Sequence, residues 1–128
     1  MTKLKGTFAL TGWDEDAIEE SPTKVTSAVI GQAWKGDGVE GDVVCRNLMH
    51  YAEDGTATFV GLMRFTGTVD GRSGSFVAQG IGSYDGEQVQ CDLTVTPGSG
   101  TKDLVGLTGT GTSAAPKGPE GSWTLDLT

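Results

Sequence analysis

The chain has 128 residues, a formal net charge of −8 and 36% hydrophobic residues, which suits a single domain, residues 1–128, around one core. Nine Lys plus Arg against seventeen Asp plus Glu repel phosphate backbones and anionic lipid surfaces over a Debye length of roughly 10 Å, so neither nucleic acid nor a membrane is an expected partner. No run of about 18 apolar residues exists, and Met1-Thr2-Lys3-Leu4-Lys5 leads into a polar, alternating stretch with no apolar signal core, so the expected location is cytoplasmic.

Twenty-one Gly and seventeen Thr disfavour helices, because Gly costs about 1 kcal/mol per helical site and Thr is stiff at χ1. Asp-Gly recurs at Asp37-Gly38, Asp54-Gly55, Asp70-Gly71 and Asp85-Gly86, at intervals of 17, 16 and 15 residues. Both positions tolerate positive φ, so each pair marks a hairpin turn between antiparallel strands. Removing about four residues per turn leaves strands roughly twice the usual length, and strands that long tilt and coil into a barrel. The expectation is an all-β fold: an eight-stranded antiparallel up-and-down β-barrel.

In chain order, a first strand is expected from Lys3 to Trp13, followed by the acidic segment Trp13–Pro22, read as a solvated connector with at most one helical turn before its proline, a weak cation site on Asp14, Glu15, Asp16, Glu19 and Glu20 being the alternative. A second strand runs near Thr23 to Trp34. The third turns Val43, Cys45, Asn47, Met49 and Tyr51 inward and Glu40, Asp42, Arg46 and His50 outward. In the fourth, Phe59, Gly61, Met63, Phe65, Gly67 and Val69 share the inner face, leaving Val60 and Leu62 outside with Thr58, Arg64, Thr66 and Thr68. The fifth is ambiguous, because Val77, Gln79 and Ile81 compete with Phe76, Ala78 and Tyr84. The sixth points Val89, Cys91, Leu93 and Val95 inward. Pro97–Leu107 reads as a tight turn and a short helical or irregular plug, with Leu104 and Leu107 at a barrel mouth. A short strand near Thr108 to Ser113 and a last one with Trp123, Leu125 and Leu127 inside complete the eight.

Gly71-Arg72-Ser73-Gly74-Ser75-Phe76-Val77-Ala78-Gln79, then Val95-Thr96-Pro97-Gly98-Ser99-Gly100-Thr101 and Leu104-Val105-Gly106-Leu107-Thr108-Gly109-Thr110-Gly111, resemble the bacterial DUF3224 family in order and spacing, over roughly residues 4 to 127. The resemblance implies an allene oxide cyclase-like barrel with a pocket at one end, a wider fold that includes cofactor-free cyclases. That family often carries a glutamate just before the Arg-Phe pair of the fourth strand and a histidine just after the Gln of the fifth. Here Met63 and Gly80 stand in those places, so an acid–base role is not carried over.

No nucleophile elbow, phosphate loop, zinc motif or calcium loop is present, so no metal and no cofactor are expected. His50 alone cannot build a multi-His site, and its outward parity makes it a surface residue. Cys45 and Cys91 share inward parity; inert core thiols, a disulfide and a reactive cysteine are the alternatives. The inward polar residues Asn47, Tyr51 and, if its face turns in, Gln79 lie among Met49, Phe59, Met63, Phe65 and Trp123. A polar group inside an apolar barrel either bonds a neighbour or awaits a ligand. The leading expectation is therefore a small-molecule-binding barrel for a compact apolar organic ligand, with those eight residues as its site. The fold resemblance adds cofactor-free cyclisation or isomerisation. The alternative is a solid, non-catalytic barrel whose outer face, with Val44, Leu48, Val60, Leu62, Ile30 and Trp34 outward, makes a homodimer or another protein contact.

Overall fold

The computed structural model describes residues 2–116 and 119–128. Eight strands pair antiparallel in chain order and close on themselves: β1 (Thr2–Glu19), β2 (Lys24–Gly36), β3 (Val39–Tyr51), β4 (Ala57–Val69), β5 (Arg72–Tyr84), β6 (Gln88–Val95), β7 (Gly109–Pro116) and β8 (Glu120–Leu127). Closure is by β1 against β8, from Thr2 opposite Leu127 to Ala9 opposite Glu120. All four Asp-Gly pairs lie in hairpin turns. At Asp70-Gly71 both residues have positive φ, 52° and 78°, the twist a two-residue hairpin needs.

Three sequence expectations change. The acidic segment is not a connector: β1 continues through it to Glu19, pairing Asp14 with Val29 and Asp16 with Ser27. Strand propensity disfavours Asp and Glu, but here Asp14 and Asp16 occupy the solvated outer face of a strand whose partner is long enough to hold it. Second, Ile30 and Trp34 point inward, at 5% and 1% exposure. The two faces of β2 are similarly apolar, and the stacking of Trp34 on Trp123 inside the barrel, centroids 4.8 Å apart and planes within 8°, selects the inner one. Third, the open question of β5 resolves in favour of Phe76 and Ala78, both buried, leaving Gln79 and Ile81 exposed.

The barrel interior has two halves. Toward the turns β2–β3 and β4–β5 it is solid. Trp123 stacks on Trp34, Trp34 meets Phe65 edge-on and Phe65 stacks on Phe76 at 5.2 Å, and Leu104 and Leu107 of the β6–β7 connection close the end, at 0% and 4% exposure. That connection contains one 3₁₀ turn, Lys102–Leu104. It docks where β5 outruns its shorter neighbour β6: Thr101 N donates to Ser75 O at 2.9 Å and Val77 N to Ser99 Oγ at 3.0 Å. Gly67 does not leave space in this half, since a Cβ there would lie 2.6 Å from the Gly41 Cα of β3; it lets two strands approach closely.

Candidate functional site

Toward the opposite end the inward side chains become small. Ala57, Gly61, Gly80, Ser113 and Ala115 face one another across the barrel, and the filling that Trp34 and Phe65 supply below is missing. The result is a cavity of about 330 Å³, opening at the end of the barrel where β1, β3, β5 and β7 finish. Its volume equals that of about eleven liquid waters, far beyond the packing voids of ordinary cores, and falls in the lower range of small-molecule pockets.

The walls are mainly apolar. Trp34 is the floor, Phe8, Leu10 and Ile30 form one side, Met49, Phe59 and Met63 another, and Val89 and Leu93 the third. Asn47 and Gln32 bring amides to the wall; Gln32 Oε1 accepts from Trp34 Nε1 at 2.8 Å. Of the residues expected from sequence, Asn47, Met49, Tyr51, Phe59 and Met63 come together on this lining. Phe65 and Trp123 are buried in the solid half below it, and Gln79 is exposed on the outer wall, its ambiguous parity resolved against it. Met63 and Gly80 both line the cavity.

Cys45 and Cys91 also line it and are free thiols. Burial, aided by the neighbouring Cys91, pushes the Cys45 thiol up to about 12. Burial does the same for Cys91, to about 11, against a partial offset from Ser113. Both are therefore un-ionised and poorly nucleophilic at neutral pH.

A polar cluster at the lip centres on Glu15. A bulge between Leu10 and Gly12, where Thr11 is the unpaired extra residue, shifts the parity of β1 by one, so that Trp13 and Glu15 turn toward the mouth. Glu15 Oε1 accepts from Trp13 Nε1 at 2.9 Å, and Glu15 Oε2 accepts from Thr26 Oγ1 and from Tyr51 Oη, each at 2.6 Å. Trp13 and Tyr51 themselves line the cavity. Burial works to raise the Glu15 carboxyl, but the hydrogen bonds from Thr26, Tyr51 and Trp13 and the charge of Lys24 outweigh it and hold it below the usual glutamate value. Burial, then the hydrogen bond and charge of Glu15, push the Tyr51 phenol up to about 12. The carboxylate stays ionised and the phenol stays protonated, so the pair holds a fixed charge and a fixed donor rather than passing a proton near neutral pH. Composition suggested a solvated acidic stretch or a weak cation site here, not a lip of the barrel; the one sequence signal for the bulge was the switch from even to odd inward positions between Leu10 and Trp13.

His50 is exposed and its Nε2 lies 3.0 Å from Thr23 Oγ1. Among the described residues no group of three or more His, Cys, Asp or Glu side chains is placed to hold a metal ion, and no helix is long and apolar enough to cross a membrane.

An up-and-down barrel of eight strands, plugged at one end and hollow and apolar at the other, defines the class of protein. Within that class the chain belongs to the family described as protein of unknown function DUF3224, whose model it matches over residues 4–127. Among solved structures it is similar to a protein with unknown function from the DUF3224 family from Shewanella oneidensis MR-1. The two share 24% sequence identity with a TM-score of 0.78, covering 100% of this chain and 96% of that one, a likeness of fold. No curated protein matches the sequence.

Proposed function

We propose that this barrel binds a compact, largely apolar organic molecule in its open half. The observation that carries the reading is the cavity: about 330 Å³ walled by Met49, Phe59, Met63 and their neighbours, directly above a core packed tightly enough to show that the same fold can fill itself. A mostly apolar enclosure with a few placed polar groups is what small-molecule sites share. Membership of the allene oxide cyclase-like superfamily is part of this proposal, supported by closure of eight strands in sequence order around one apolar pocket. With Cys45 and Cys91 un-ionised and Glu15 and Tyr51 fixed in their protonation states, any cyclisation or isomerisation of the guest would rest on confinement in a reactive shape.

The test fills the cavity. Met63→Trp places a larger ring into space that the lining leaves open. The neutral apolar dye N-phenylnaphthylamine is expected to light up and saturate with the parent protein and not with the variant, while the variant melts no lower than the parent. A dye response from neither protein, or an equal one from both, sinks the reading. A variant destabilised by the about 1–3 kcal/mol typical of overpacking would show the barrel to be solid.

A second reading concerns the outer wall. Leu48, Val60 and Ile81 sit side by side on β3, β4 and β5, at 53%, 51% and 66% exposure, with Leu62 at 52% one step along. An apolar row of this kind on a sheet face suits a self-complementary contact between two copies of the chain.

A further inference from the structure

The cavity has an electrically uneven approach. The end of β1 brings Asp14, Glu15, Asp16 and Glu19 to the open end, and the β3–β4 and β5–β6 turns each add two carboxylates, Glu53 with Asp54 and Asp85 with Glu87. Among the described residues Lys3, Lys5, Lys35, Arg72 and Lys102 belong to the plugged end or to strand halves leading to it, Arg46 and Arg64 stand within β3 and β4, and Lys24 stands at the lip. An apolar cleft bordered mainly by one sign of charge concentrates the opposite charge and repels its own. A fatty acid, a phosphate ester or any other anionic guest is thus disfavoured before it reaches the wall.

The lip also shows where a cation rests. Glu15 receives hydrogen bonds from uncharged groups only, those of Trp13, Thr26 and Tyr51, so its negative charge is oriented without being neutralised by its hydrogen-bond partners. Three donors leave one of its roughly four acceptor positions for another group. The chain's own Lys24 places its ammonium over the Tyr51 ring, 5.4 Å from the centroid. Tyr51 belongs to the lining, so a cation at this spot stands at the cavity entrance, on an aromatic face and beside a carboxylate.

We infer that the ligand is an organic cation, with an ammonium head held at the lip by Glu15 and the ring faces of Tyr51 and Trp13 and an apolar body lying along Met49 and Phe59. The inference rests on the cavity being a binding site. Lys24 is a tethered cation that the guest's head displaces from the Tyr51 ring.

Three probes with one body and three heads separate the possibilities: phenylbutylamine, phenylbutanol and phenylbutanoate, titrated calorimetrically at low and high salt. The ammonium is expected to bind about fivefold tighter than the alcohol, the size of one partly exposed ion pair, and the carboxylate more weakly than either. Raising the salt is expected to narrow the spread. Glu15→Gln is expected to collapse the preference for the ammonium over the alcohol, and Lys24→Met, by removing the competitor, to increase it. Equal affinity for all three heads, or tightest binding of the carboxylate, overturns the cation and leaves the cavity reading standing. Binding of none of the three overturns both.

Discussion

Glu15 draws together side chains from three adjacent strands, Trp13 on its own, Thr26 on β2 and Tyr51 on β3. Its folded-state carboxyl is held below the ordinary value of 4.5, so the stabilisation it supplies is present above about pH 4.5 and is lost as the pH falls through the lower folded value. Glu15→Gln is therefore expected to melt below the parent at neutral pH, by about 1 kcal/mol or less because the site is partly exposed to solvent. That gap should narrow as thermal melts are taken below pH 4.5, toward the point where the folded carboxyl is itself protonated. The buried thiols give a second residue-scale expectation. With Cys45 and Cys91 pushed up to about 12 and 11, iodoacetamide at about pH 8 should label the native protein far more slowly than a free cysteine peptide, and both sites should react once it is denatured. Asn47, Met49, Tyr51, Phe59 and Met63 were legible as lining because β3 and β4 alternate without interruption. Gln79 was not, since both faces of β5 carry apolar residues and only the packing of Phe76 on Phe65 decides between them.

At the scale of the element, β1 holds the features hardest to read. Its first half follows the even-numbered alternation Leu4, Gly6, Phe8, Leu10; the bulge at Thr11 then hands the inner face to Trp13 and Glu15. A period-two pattern interrupted by one residue resembles the end of a strand followed by a charged loop, and that resemblance hid half of the lip. Deleting Thr11, the residue without a partner, should close the bulge and leave the pairing beyond it, Trp13 with Ile30 and Glu15 with Ala28, on the same faces. Thr26, at 1% exposure, should then keep its acceptor, and denaturant melts should show none of the about 1–3 kcal/mol that an unpaired buried hydroxyl costs. Dye binding should survive with it, because Trp13 stays on the cavity wall. The β6–β7 connection was more transparent: a proline and glycines set the turn, and two leucines without strand alternation announced a plug.

For the whole molecule, the Asp-Gly rhythm revealed the order of β2 to β6 and the length of β3 to β5, because four short turns leave little freedom in connecting antiparallel neighbours. What the rhythm could not reveal was where the barrel is hollow, which depends on side chains from seven strands meeting at one level. The outer face carries its own expectation. If the row of Leu48, Val60 and Ile81 joins two copies, Leu62→Glu beside it should halve the mass measured by light scattering on a sizing column; an unchanged mass removes the interface.

The pairing of Thr2 with Leu127 sets the direction in which this protein can be held. Both residues lie at the plugged end, and the mouth lies at the other. A tether at either end of the described chain, to a bead, a surface or a fused neighbour, points the cavity away from its support, so an immobilised form keeps its entrance free to sample passing molecules.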